Sequence, residues 1–187
     1  MTYERKRLGV LICPLFFSAI LLVVLSITSG CSKEAKLERH WKKGEQYFSE
    51  NKPREAALEY KNVLQLEPNH VKAHYKLGLT YLQMGIIRDA YAEMSKTVEI
   101  DPGMTDARNH LGRLYLLSGD KKKAREQAET ILAKDAGNSS AYLLISNVSL
   151  AENNLDQAIA DGKKAVAGEM KLEAYLHLAN LYLLKKD

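Results

Sequence analysis

His70 and His74 stand four residues apart, the spacing that sets two imidazoles on one face of a helix and could begin a metal site. Pro68 ends a helix just before them and no third ligand accompanies them, so a pair of histidines at a junction between structural units is the weightier reading. His110 and His177 occupy equivalent places in later segments, which points to packing or to the lining of a groove. The chain has no Gly-rich phosphate loop, no paired-cysteine metal motif and no nucleophile signature. The expectation is a protein without catalytic residues, metal or cofactor.

The remaining chemistry is that of two thiols. Cys13 lies inside an apolar stretch, Cys31 stands at its foot and no cysteine follows, so a structural disulfide has no partners. From Leu8 to Ser32 nothing ionises except these thiols, and the centre of the stretch, Leu15 to Leu25, must enter a membrane. Arg5, Lys6 and Arg7 ahead of it hold the start of the chain in the cytoplasm, which delivers the rest to the far side. The residues Ile27-Thr28-Ser29-Gly30-Cys31 resemble the lipobox of bacterial lipoproteins, with Thr28 where that pattern usually has Leu. The resemblance implies a signal peptide over residues 1–30 and a Cys31 that is acylated and becomes the new N-terminus. The alternative is an uncleaved anchor, because about 20 apolar residues also suffice to cross a bilayer once. Ser32 after Cys31, in place of Asp, favours the outer membrane of a Gram-negative host. Loss of residues 1–30 removes Glu4, Arg5, Lys6 and Arg7 and lowers the net charge from +4 to +2. The remaining charges are interleaved rather than gathered into a basic stripe, which argues against a nucleic-acid partner.

These side chains are positioned by a repeat. Shifting the chain by 34 residues superposes Ala56, Ala90, Ala124 and Ala158, and likewise Gly44, Gly78 and Gly112, continued by Ser146 and, one residue short, Ala179. Tyr47, Tyr81, Tyr115 and Tyr182 each follow the small residue by three, and Pro68 and Pro102 recur at the same interval. The runs Leu77-Gly78-x-x-Tyr81, Ala90-x-x-x-Met94 and Pro102, with Leu111-Gly112-x-x-Tyr115 and Ala124, resemble the tetratricopeptide repeat. The fourth unit departs from that pattern at Ser146, Ser149 and Gly162. The resemblance implies an all-α helix-turn-helix solenoid over 37–187, with units 37–70, 71–104, 105–138 and 139–171 and a partial one at 172–187. Helices are expected at 37–50, 53–66, 71–84, 87–100, 105–118, 121–134, 139–152, 155–168 and 172–185. Close helix crossings need small residues, which is the role expected of the glycines and alanines, with each tyrosine filling the gap toward a neighbouring unit. Asn51, Gly85, Gly119 and Asn153 fall where a helix ends in left-handed backbone, and Pro53 opens the next helix.

In tetratricopeptide arrays the first helices line a concave face that holds peptides or partner helices. That places Trp41, Glu45, Tyr75, Leu79, Leu82, Asn109, Arg113, Leu116, Leu143, Asn147, Leu150, Leu176, Asn180 and Leu183 in a groove. Asn109, Asn147 and Asn180 would bond a peptide backbone, since an amide both donates and accepts. Of the residues that clamp a C-terminal carboxylate in some arrays only Arg113 is matched, so that mode is not expected. Lys121, Lys122 and Lys123 at a helix start read as a solubilising surface.

The sequence thus leads to an envelope scaffold that is anchored to a membrane through its N-terminal lipid or apolar segment and binds a protein or peptide during assembly, secretion or polysaccharide export. It is similar to the repeat lipoproteins of exosortase and exopolysaccharide systems and of pilus assembly. Residues 31–36 form the tether, and five extended residues reach at most about 18 Å. Leucines crowd the last helix, which favours a further repeat after it. The alternatives are a single-span regulatory membrane subunit or the front part of a longer protein with another domain.

Overall fold

The computed structural model describes residues 32–167 and 172–186; Cys31 and the apolar stretch before it lie outside them. Nine helices and no strand occur among the described residues. They are α1 (32–49), α2 (Pro53–Leu66), α3 (Val71–Gln83), α4 (Ile87–Ile100), α5 (Thr105–Leu117), α6 (Lys121–Leu132), α7 (Ser139–Ala151), α8 (Leu155–Ala167) and α9 (Leu172–Leu184). The boundaries follow the expected ones to within two residues except at α1, which begins at 32 rather than 37. The tether residues 32–36 are therefore helical, and a helix rises only about 1.5 Å per residue.

The turns form for the reasons visible in the sequence. Asn51, Gly85, Gly119 and Asn153 have φ of 56°, 70°, 84° and 62°, so each first helix ends in a left-handed residue of a type that tolerates it. Pro53 occupies the first turn of α2, and side-chain caps by His70, Asp120 and Asn138 satisfy amides at the starts of α3, α6 and α7.

The helices form two compact units, one ending at Pro68 and one starting at Asn69. In the first, α1 and α2 pair: a Cβ on Gly44 would lie 2.7 Å from the Tyr60 ring, so only glycine permits the crossing. Ala56 is fully buried, and the Tyr60 hydroxyl donates to Glu45 at 2.5 Å. In the second, the hairpins α3–α4, α5–α6 and α7–α8 stack in chain order and α9 packs on α8. Ala90, Ala124 and Ala158 are fully buried at their crossings. A Cβ on Gly78 would lie 2.9 Å from the Met94 methyl, and one on Gly112 would overlap Leu144. Tyr81 is buried, and Tyr115 meets Tyr91 edge-on at 5.5 Å. Tyr182 is 41% exposed, so it fills no gap; its ring lies beside the Lys163 ammonium.

A second repeating device was missed by the sequence reading. The first helix of a hairpin reaches the second through a polar pair 19 residues apart: His40 Nδ1 to Glu59 at 2.5 Å, His74 Nδ1 to Glu93 at 2.6 Å, Arg108 Nη1 to Gln127 at 2.9 Å. These residues recur every 34 positions. His70, meanwhile, accepts the Ala73 amide as the cap of α3. The two histidines therefore serve separate structural tasks. The lysine run needs correction too. Lys121 donates to the Ala151 carbonyl at 2.6 Å, where it satisfies an end of α7, and Lys123 pairs with Asp120.

Candidate protein-binding groove

In the second unit α5, α7 and α9 lie side by side and enclose an open cavity of about 670 Å³. Residues at a spacing of three or four on each helix face it: Asn109, Arg113, Leu116 and Leu117 from α5; Ser140, Leu143, Leu144 and Asn147 from α7; Leu172, Glu173, Leu176, His177 and Asn180 from α9. Six leucines make the wall largely apolar. Arg113, Asn147 and Asn180 hold equivalent positions on the three helices and so cross the cavity as a polar row.

The amides differ in what they have left to give. Asn147 donates Nδ2 to the Leu143 carbonyl one turn back at 2.8 Å, which leaves its oxygen as an acceptor. Asn109 Oδ1 is shielded from solvent and accepts no hydrogen bond, a state that native structures seldom leave without a use. Arg113 and Glu173 approach to 3.9 Å from opposite sides of the cavity, and both are more than half exposed. An exposed pair of this kind contributes about 0–1 kcal/mol and can be exchanged for a ligand group at little cost.

His177 sits at the cavity wall with Nε2 2.8 Å from Ser146 Oγ, and the Ser146 hydroxyl is 2.6 Å from the Ala158 carbonyl. A carbonyl only accepts, so the single hydroxyl proton goes to Ala158 and His177 must carry its proton on Nε2. Burial holds the His177 pKa below the usual imidazole value against the opposing pull of Glu173. Burial, then Arg113, does the same to His110, whose ring lies 6.1 Å from that of Tyr75.

The family models agree with this architecture. A TPR repeat model matches residues 44–85 and a tetratricopeptide repeat model matches residues 87–148, together more than half of the chain. The chain belongs to the tetratricopeptide-repeat family. No curated protein sequence matches it. Among solved structures it is similar to a crystal structure of MamA protein (TM-score 0.69, 24% identity, 81% of this chain and 83% of that one). It is likewise similar to MamA 41-end from Desulfovibrio magneticus RS-1 (0.70, 21%, 81% and 86%) and to pilF of Pseudomonas aeruginosa (0.68, 16%, 83% and 71%). At these identities the likeness concerns the fold.

Measured against the face that tetratricopeptide arrays use, the structure brings Asn109, Arg113, Leu116, Leu143, Asn147, Leu176 and Asn180 to one cavity. Tyr75, Leu79 and Leu82 on α3 are partly buried and do not line it. Trp41, in the other unit, meets the Tyr60 ring at a tilt, 5.7 Å between centroids, and Leu150 packs into the core around Ala158 and Leu181. Leu183 is 62% exposed. Sequence reasoning missed Leu117, Ser140, Leu144, Leu172 and Glu173; His177, read there as packing or groove lining, also reaches the wall. The helical spacing from Asn109, Leu143 and Leu176 would have reached most of them.

Proposed function

We propose that the chain is a membrane-anchored scaffold of a bacterial envelope whose groove between α5, α7 and α9 holds a segment of a partner protein. The observation that carries this is the composition of the cavity: leucine walls for apolar side chains, crossed by amides able to engage a peptide backbone. The weak, exposed Arg113–Glu173 pair supplies charged groups that a ligand would exchange. The tetratricopeptide fold, whose arrays act as interaction scaffolds rather than enzymes, supports the same reading. A photoreactive amino acid at Leu143 is expected to crosslink a discrete partner in envelope preparations. One at Glu129, on the exposed side of α6, is not; equal labelling from both positions would refute the groove.

Anchoring rests on Cys31 and the apolar stretch before it. Diacylation and removal of residues 1–30 would hold the array at the membrane surface, the outer membrane in a Gram-negative host, for a role in assembly, secretion or polysaccharide export. Intact-mass analysis of the protein beside Cys31→Ala tests this. A truncated, acylated wild type and an unmodified variant support the lipoprotein; full-length unmodified mass in both means a retained single span instead.

A further inference from the structure

The groove between α5, α7 and α9 holds two charges whose state depends on what fills it. Arg113 of α5 and Glu173 of α9 both line the cavity, with α7 between their helices. Their closest approach, Arg113 Nη1 to Glu173 Oε1, is 3.9 Å, too long for a hydrogen bond. Both side chains are more than half exposed, so each charge relies mainly on water. An occupant that packs against Leu116, Leu143 and Leu176 displaces that water, because these leucines line the same cavity. Removing water from an ion is costly, and one contact at this distance does not offset it. An uncharged apolar segment meets that cost at both charges. A segment with a carboxylate for Arg113 and a cation for Glu173 replaces the lost water with charge-assisted hydrogen bonds.

The middle helix sets how such a segment lies. Asn147 has its amide nitrogen engaged by the Leu143 carbonyl, so its oxygen is the group left to accept a backbone N–H. An extended chain has such an N–H free, whereas the interior of a helix does not. The helices that carry Arg113 and Glu173 are two interhelix distances apart, about 9 Å each, and an extended chain advances roughly 3.3 Å per residue. About five residues therefore separate its acid from its base. We propose that the groove selects an extended partner segment with an apolar centre, an acidic side chain at Arg113 and a basic one at Glu173. The proposal rests on the reading of this groove as a protein-binding site and adds the charge pattern of what binds there.

The test offers the full chain in detergent end-capped peptides of the frame X-Leu-Ala-Leu-Ala-Z, in which the second leucine carries a photoreactive diazirine. X and Z are Asp and Lys, Asn and Gln, Lys at both ends, or Asp at both ends. Labelled residues are mapped by mass spectrometry and the yields compared. Wild type should be labelled on α5, α7 and α9 about tenfold more by the Asp–Lys peptide than by the Asn–Gln peptide. Arg113→Glu should instead prefer the peptide with two lysines, and Glu173→Lys the one with two aspartates. Circular dichroism should show the same helicity in all three proteins, since both side chains lie largely in water. Groove labelling with one peptide ranking in all three proteins overturns the charge pattern and leaves the groove standing. Labelling by no peptide, or only outside these helices, overturns it too; the groove itself is judged separately, by whether Leu143 captures a partner in envelope preparations.

Discussion

The hairpins α3–α4 and α7–α8 solve the same crossing with different chemistry. In α3–α4 glycine opens the space and a flexible, fully buried Met94 fills it, with the His74–Glu93 pair at the edge. In α7–α8 the corresponding residue is Ser146, whose hydroxyl donates to the Ala158 carbonyl and accepts from His177 Nε2–H. Ser149 replaces the tyrosine and approaches a 3% exposed Asp161, which also accepts from Gln157 at 2.9 Å and from Lys164 at 3.2 Å. The departures from the repeat pattern in the fourth unit are therefore mutually dependent. A hydroxyl at the crossing is tolerated because a backbone carbonyl and an imidazole both use it, and the buried carboxylate because neighbouring donors surround it. Apolar filling makes one hairpin depend on volume; the polar network makes the other depend on completeness.

The largest expected effect tests the first half of that contrast. Met94→Ala deletes buried volume at an apolar crossing and should cost about 2–5 kcal/mol, read as a lower urea midpoint by circular dichroism. Gly112→Ala comes next, at about 1–3 kcal/mol, because the new methyl overlaps the core residue Leu144 and lies 3.4 Å from the Ala124 carbonyl. Ser146→Gly restores the small residue of the repeat and yet should destabilise by about 1–2 kcal/mol, since the His177 N–H loses its acceptor. No loss of stability would mean that the polar network contributes nothing. Gly78→Ala should fall within about 1 kcal/mol of wild type. The Met94 methyl at 2.9 Å is the movable end of its chain, and alanine gains about 1 kcal/mol in helix propensity.

The smallest effect is pH-dependent. Burial depresses the His177 pKa in the folded state, so the unfolded chain binds the proton more readily, and stability falls as pH drops below the ordinary imidazole value near 6.5. The stability advantage of wild type over His177→Asn should therefore shrink between pH 8 and pH 5. A constant difference across that range would show that burial of this imidazole is not linked to folding.

Sequence alone determined the all-α class, the 34-residue period, the helix limits from α2 onward and the left-handed turns at Asn51, Gly85, Gly119 and Asn153, because these depend on residue type and local spacing. The 19-residue polar pairs were equally periodic and legible, as the recurrence of His40, His74 and Arg108 with Glu59, Glu93 and Gln127 shows. Tertiary structure decided the rest. Lys121 reads as a surface cation until the end of α7 comes within reach of it. Ser146, Asp161 and His177 read as a degenerate repeat until three helices meet. The cavity gathers α5, α7 and α9 and leaves out the α3 residues that the same spacing had included. Period and backbone conformation are properties of neighbouring residues, whereas a cavity wall and the partner of a buried proton depend on which distant helices pack together.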